Sequence, residues 1–418
     1  MKNLLITKLK HKLTFFIMTV TKCQLCNSKD LKLVIDLGYH PLADTFLKTE
    51  QLTKQEETFP LRVLLCQNCG YATLQYIVEP EKRYQQADYS YTSSNSPVAI
   101  KHFAEMADQV IVKASLKKSD LVVDIGSNDG TLLNSFKSKL NCPVISVEPA
   151  ANIAEIAAKN KIPTLNRFFD KMSVEKILKN SGKAKAILAT NVLNHITDLN
   201  DFFKNINRLL APNGYFIFES PYLLSLLEKT AFDTIYLEHV SFFSIKPLNR
   251  FLKKLNLHIH HIEENEYMGG SIRVYISKKQ ANESIVRKYS DKEERAKIYQ
   301  VDTYKILMSK AERLKFNLCR QLYQIKARGE KIIGIGAATK GNTLLNYCRI
   351  DNSLIDFITD SSPLKINKFM PGSHIPIKSD SSITPDIKYA LILPWNIAAF
   401  LKKKLKHLNL KFIVPQIK

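Results

Sequence analysis

Leu121-Val-Val-Asp-Ile-Gly-Ser-Asn-Asp-Gly130 is a short apolar run, interrupted at Asp124, that breaks into a turn holding two glycines. It reads as a buried parallel strand feeding a tight loop, with a helix beginning near Thr131. Gly126 and Gly130 carry no Cβ and can take positive φ, so backbone there can approach a ligand closely. Roughly twenty residues later a second apolar run, Val144 to Val147, ends in Glu148, and a carboxylate so placed can accept both hydroxyls of a ribose. Strand, glycine turn, helix, strand and acid together describe a nucleoside site.

The turn also discriminates between nucleosides. A dinucleotide site wants Gly-x-Gly-x-x-Gly, so that a pyrophosphate rests on the helix N-terminus. Here the spacing is Asp-x-Gly-x-x-x-Gly, and Asp124 and Asp129 would repel a phosphate. S-adenosylmethionine has no phosphate and carries a sulfonium and an amino group, which turns those acids into an advantage. Asp124, Gly126, Ser127, Asn128, Gly130, Glu148 and Pro149 are the expected cofactor contacts.

Beyond Glu148 the pattern alternates helix with short apolar strands at Pro163 to Leu165, Ala186 to Thr190 and Gly214 to Phe218. Such alternation implies an α/β domain, a parallel sheet with helices on both faces. Asn191 stands at a strand's carboxyl end, where open α/β sheets bind ligands, and joins the cofactor set. His195 follows it and reads equally well as a structural histidine. A helix at Lys246 to Leu255, a strand at His258 to Ile262 and a run at Ser271 to Ile276 come next. A last strand reached by a short loop would lie antiparallel.

Cys23-Gln-Leu-Cys26 and Cys66-Gln-Asn-Cys69 form two pairs whose four thiolates can close a tetrahedron around zinc. Disulfides or buried thiols are the alternatives, but nothing else suggests an oxidising compartment. With no open coordination position in view, the metal is expected to be structural. The chain has 418 residues, enough for two or three domains. Its net charge of +22 could signal nucleic acid, yet the lysines are scattered, the longest run being Lys402 to Lys404, and no aromatic-basic repeat accompanies them. The expectation is an anionic small substrate, no nucleic acid and no membrane, in the cytoplasm. The oligomeric state is left open, a monomer included. Residues 1–17 read as an extension, with Met18 as an alternative start. The expected organisation is a zinc-binding lobe at 18–82, a cofactor domain at 83–282, a long connecting helix at 283–330 and a second α/β domain at 331–418.

That last domain opens with a strand at Ile332 to Gly336, the loop Gly334-Ile-Gly-Ala-Ala-Thr-Lys-Gly-Asn342 and a helix. This loop carries a lysine and no acid, which suits a phosphate. Lys340 and Asn342 are therefore candidate substrate contacts, with Arg273 as a planar fork for a diphosphate. In the polar, aromatic stretch Tyr84 to Pro97, the hydroxyls of Tyr89, Tyr91, Ser93 and Ser94 could close over a sugar, and Tyr222 could join them. Asn191-Val-Leu-Asn stands where methylases of exocyclic amines carry an Asn/Asp-Pro-Pro-Tyr motif, which disfavours that chemistry. Tyr236, Glu238 and His239 combine a phenol donor, a carboxylate and a base, the set needed to remove a proton beside a carbonyl.

These motifs resemble those of the sugar C-methyltransferases that act on nucleotide-linked keto-deoxysugars. The resemblance runs through the paired Cys-x-x-Cys, Asp-Tyr-Ser-Tyr-x-Ser-Ser, Asp-Ile-Gly-Ser-Asn-Asp-Gly, Val-Glu-Pro, Tyr-x-Glu-His, Gly-Gly-Ser-x-Arg-Val-Tyr (Gly269 to Tyr275), Lys-Gly-Asn-Thr-Leu-Leu-Asn and Pro-Gly-x-x-Ile-Pro-Ile (Pro371 to Ile377). It covers essentially everything after Met18. It implies a zinc-binding N-terminal lobe, a class I S-adenosylmethionine methyltransferase domain and a Rossmann-like C-terminal domain. It further implies methyl transfer to the carbon beside a ketone, with His239 as base, Tyr236 as enolate stabiliser and Glu238 as an orienting group. Thr339 and the Asn191 to Asn194 motif depart from the family pattern and bear on which sugar is used. Methylation of oxygen or nitrogen in another acceptor, and a zinc-containing nucleic-acid-binding module, are the competing readings.

Overall fold

The computed structural model describes residues 17–85 and 89–415. The expected N-terminal extension lies outside them except for Ile17, which begins a short strand (Ile17–Thr19) paired antiparallel with Tyr76–Val78.

The central sheet is built from β1 (Val122–Ile125), β2 (Val144–Val147), β3 (Thr164–Leu165), β4 (Ala184–Thr190), β5 (Leu210–Pro221), β6 (His258–Asn265) and β7 (Ser271–Ser277). Its order is β3-β2-β1-β4-β5-β7-β6. Strands β1 to β5 run parallel, while β7 lies antiparallel between β5 and β6. This is the class I methyltransferase arrangement. The inner strands are mostly apolar because helices cover both sheet faces, and Val122, Val123, Ile187, Leu188, Phe216 and Phe218 are all fully buried. The order reverses between β1 and β4, so a crevice opens at their carboxyl ends.

The N-terminal lobe is a small antiparallel sheet of Leu31–His40, Phe59–Cys66 and Ala72–Leu74. Its fourth strand, Ser241–Phe242, comes from far along the chain. The lobe is thereby fastened to the segment that carries Tyr236 and His239.

The single helix expected over 283–330 is instead two, Ser284–Arg295 and Val301–Lys326. Neither glycine nor proline marks the break. It follows from tertiary contacts: Lys297 turns to φ 57°, Ile298 drops into the core, and the Tyr299 hydroxyl donates to buried Glu293. Glu293 also accepts the Tyr222 hydroxyl at 2.8 Å and the backbone N–H of Ile245 at 2.6 Å.

The C-terminal domain is a parallel sheet of β8 (Ile332–Ile335), β9 (Phe357–Thr359), β10 (Ile377–Lys378), β11 (Tyr389–Ile392) and β12 (Lys411–Ile413), in the order β10-β9-β8-β11-β12. The two-residue β10 left no signal in the sequence. The order here reverses between β8 and β11, giving a second crevice that faces the first.

Candidate active site

One cavity of about 1030 Å³ lies between the two crevices. From the central sheet it is lined by Asp124, Gly126, Ser127, Asn128, Glu148, Pro149 and Asn191. Gly126 sits at φ 59°, and a Cβ there would come within 2.5 Å of Val192. Gly130 does not line the cavity: at φ 81° it is the cap of the helix Thr131–Leu140. Asp129 is also turned away, accepting N–H groups from Ser94 (2.8 Å) and Thr131 (3.2 Å). Of the two turn acids, only Asp124 lines the cavity.

Glu148 bridges the backbone N–H groups of Asn128 (3.0 Å) and Ala150 (2.9 Å). Each oxygen keeps capacity for a further donor. Burial pushes Glu148 up to about 7, and burial with Glu148 nearby pushes Asp124 up to about 8. Asn191 takes φ 54°, and its buried Oδ1 has no partner among the described residues. Two raised acids and an orphaned acceptor beside a Cβ-free turn fit a cationic nucleoside such as S-adenosylmethionine. Glu148→Ala is expected to weaken that cofactor by about 1–3 kcal/mol, read by calorimetry, because the ribose hydroxyls lose their acceptor.

Tyr91 and Ser93 are tied to this turn by Asn128, whose amide donates to Tyr91 O (3.0 Å) and accepts from Ser93 N (2.9 Å). Tyr89, Tyr91 and Ser93 line the cavity, whereas Ser94, held by Asp129, does not.

Tyr236 and His239 face the same space with ring centroids 3.7 Å apart. The His239 Nδ1–H donates to Thr234 O at 2.8 Å, which leaves the lone pair on Nε2. Burial pushes His239 down to about 3, helped by the charges of Lys340 and Arg83, so the ring is neutral near pH 7. Burial holds the Tyr236 phenol well above its usual range, and it stays protonated. Glu238 points elsewhere and is not on the cavity wall. Its Oε1 accepts from Asp44 N (3.2 Å), its Oε2 is buried without a partner among the described residues, and burial with Asp44 nearby pushes it up to about 8. A carboxyl whose folded pKa is raised favours the native state below its unfolded pKa and loses that contribution as pH rises toward 8. Glu238→Gln should therefore gain stability relative to the parent between pH 5 and pH 8, measured by denaturant unfolding at fixed ionic strength.

Arg83 and Asp44 escaped the sequence reading, in which His195 stays undecided. His195 lines the cavity, 2.6 Å from the Tyr84 hydroxyl, with its ring 4.9 Å from that of His239. Its place after a strand end was the available signal. Arg83 is buried and donates at 3.2 Å to the carbonyls of both His195 and Glu238, holding the two segments together. Asp44 brings a zinc-lobe carboxylate to the cavity and accepts the Thr339 hydroxyl, and no local pattern announces it.

From the second sheet, Lys340 reaches the cavity out of the first turn of the helix Thr339–Cys348. Its Nζ donates to Met268 O at 2.8 Å and lies 4.8 Å from the centre of the Trp395 ring, and burial pushes it down to about 8. Besides Ser94, three expected substrate contacts are displaced. Arg273 pairs with buried Glu219 at 2.8 Å inside the sheet, because β5 and β7 place the two opposite one another. Tyr222 is bound to Glu293, and Asn342 is buried against Asn346. The loop expected to take a phosphate already donates Ala337 N–H to Asp360 at 2.8 Å.

In the lobe, the Sγ atoms of Cys23, Cys26, Cys66 and Cys69 all lie within 4.8 Å of one another, with Cys23–Cys69 at 3.6 Å and Cys26–Cys66 at 3.5 Å. Tetrahedral thiolate ligation requires edges of about 3.8 Å, so the cluster fits zinc. No helix among the described residues is long and apolar enough to cross a membrane.

Three family models match in succession: a zinc binding domain at residues 23–84, a methyltransferase domain at 99–262 and a C-methyltransferase C-terminal domain at 266–415. The C-methyltransferase NovU of Streptomyces niveus is 31% identical over 403 residues, 95% of each chain. Among solved structures, an S-adenosylmethionine-dependent methyltransferase of Clostridium acetobutylicum aligns at 16% identity, covering 43% of this chain and 91% of that one, with a TM-score of 0.35. Magnesium protoporphyrin IX methyltransferase of Synechocystis with bound S-adenosylmethionine aligns at 11% identity, covering 44% and 82%, with a TM-score of 0.33. With the three family models and NovU matching along nearly its whole length, the chain belongs to the C-methyltransferase family, as an S-adenosylmethionine-dependent enzyme with a four-cysteine zinc lobe.

Proposed function

We propose that the enzyme methylates the carbon beside the ketone of a nucleoside-diphosphate-linked keto-deoxysugar, through an enolate. The observation that carries this reading is the pairing of neutral His239 with protonated Tyr236 on the wall of the cavity that the cofactor turn also lines. His239 Nε2 takes the proton from the carbon acid, and the Tyr236 hydroxyl donates to the oxygen as negative charge develops there. S-adenosylmethionine, held by the Gly126 turn and Glu148, would supply an electrophilic methyl group, the new C–C bond to the enolate carbon forming as the methyl–sulfur bond breaks with its electron pair left on sulfur as S-adenosylhomocysteine. The enolate's charge beside the ring stabilises the imidazolium that His239 becomes, offsetting the desolvation that depresses its basicity. Glu238 and Arg83 position this segment from behind.

The nucleotide-linked acceptor is supported by charge and size. Lys101, Lys340, Lys365 and Lys404 line the cavity and suit a diphosphate. Its volume exceeds what one nucleoside needs and leaves room for two ligands. A zinc site of free thiols suits the reducing cytoplasm. The test is turnover of nucleotide-linked 4-ketosugars with methyl-¹³C S-adenosylmethionine. The product should show the label bonded to carbon, and label on oxygen or nitrogen would refute the mechanism.

A further inference from the structure

His239 owes its tautomer to one carbonyl, and the C-terminal domain grips the chain on both sides of that carbonyl. Thr234 O accepts the His239 Nδ1–H at 2.8 Å. One residue earlier, Asp233 Oδ2 accepts the Trp395 indole N–H at 2.7 Å, and one residue later, Ile235 O accepts the Thr343 hydroxyl at 3.0 Å. Trp395 follows β11 and Thr343 lies on the helix Thr339–Cys348, so both donors come from the second α/β domain. The far end of the segment is reached too: the Thr339 hydroxyl donates to Asp44, whose N–H donates to Glu238 at 3.2 Å.

The segment itself supplies little rigidity. Phe232–Thr234 is a single turn, and residues 235–240 form neither helix nor strand. His239 N–H closes a turn onto Tyr236 O at 2.9 Å, which fixes the phenol and the imidazole relative to each other but not relative to the cavity. Asp233, Ile235 and Thr343 are at most 1% exposed, and an acceptor buried this far from solvent stays unpaired when it loses its donor. Asp233, Thr343 and Trp395 do not line the cavity.

We infer that Trp395 and Thr343 are positioning residues, through which the C-terminal domain sets the tautomer and the aim of His239. The inference rests on the role proposed above for His239. A reacting group displaced by about 1 Å can lose about 10²-fold in rate, so two donors that touch no ligand can still govern the chemistry.

The test isolates proton abstraction. Full-length protein saturated with S-adenosylhomocysteine, so that no methyl transfer follows, is given a nucleotide-linked 4-ketosugar that the parent turns over, in heavy water, and deuterium entry beside the ketone is timed. Thr343→Val removes the hydroxyl at nearly constant shape, and Trp395→Phe removes the indole N–H while keeping a ring beside Lys340. Each should slow deuterium entry and kcat together by about 10-fold. The ketosugar KM and the affinity and stoichiometry of S-adenosylhomocysteine should be unchanged. Thr343→Ser keeps the hydroxyl and should exchange at the parent's rate. Parent-like exchange in both Thr343→Val and Trp395→Phe would overturn the inference. So would slower turnover with undiminished exchange, which would place the loss in methyl transfer. A fall in S-adenosylhomocysteine stoichiometry that matches the loss of rate would overturn it as well, since less of the protein would then be folded. If His239→Ala exchanges as fast as the parent, the role of His239 falls and takes the inference with it.

Discussion

His239→Ala is expected to lower kcat by about 10²–10⁴, the usual cost of removing a positioned general base. The loss should fall on chemistry, because His239 meets the cavity from a segment separate from the turn that holds Gly126 and Glu148. Cofactor affinity measured by calorimetry should therefore be unchanged. In heavy water the parent should exchange the hydrogen on the carbon beside the ketone for deuterium, and the variant should not. The acid limb offers a further check. With its folded pKa depressed to about 3, His239 remains an unprotonated acceptor well below pH 6.5, so the rate should show no loss from this group on lowering the pH from 7 to 6. Retained turnover in His239→Ala would remove the histidine from its proposed role.

Stripping the zinc is expected to abolish both the lobe and catalysis. Structural zinc sites in small peptides contribute about 10–16 kcal/mol of apparent binding energy, which becomes folding energy for a lobe this small. The effect should reach the active site through named bonds. Leu74 N–H and the Thr73 hydroxyl both donate to Val240 O at 2.9 Å, and Asp44 N–H donates to Glu238. These contacts hold the residues on either side of His239. Reduced, freshly purified protein should contain one zinc per chain by elemental analysis. Cys66→Ser should lower the metal content, the melting temperature and turnover together. Full activity in metal-free protein would show that the lobe is not needed to place the catalytic segment.

Much of this molecule was legible wherever a property is carried by neighbours in sequence. A strand buried on both faces is mostly apolar, which marked the run from Leu121 that is interrupted at Asp124 and the run Ala186 to Thr190. A Cβ-free turn followed by an acid at the next strand end marked Gly126 and Glu148, and ligand spacing marked the four cysteines. The reading faltered where a polar side chain's role depends on what packs against it. Arg273 looked like a free fork for a diphosphate, but strand register gives it to Glu219. Tyr222 looked like a substrate hydroxyl, but Glu293 takes it.

The amino-acid sequence by itself determined the α/β alternation, the glycine turns, the metal ligands and the pairing of Tyr236 with His239, because short-range periodicity and spacing encode these. Tertiary structure alone decided that Asp44 and Asp360 reach the cavity, that His195 stands beside His239, and that the helix expected over 283–330 breaks at Lys297. A carboxylate buried away from water takes whichever donors the fold brings within about 3 Å, and donors such as Ala337 for Asp360 and Thr339 for Asp44 lie far from it along the chain.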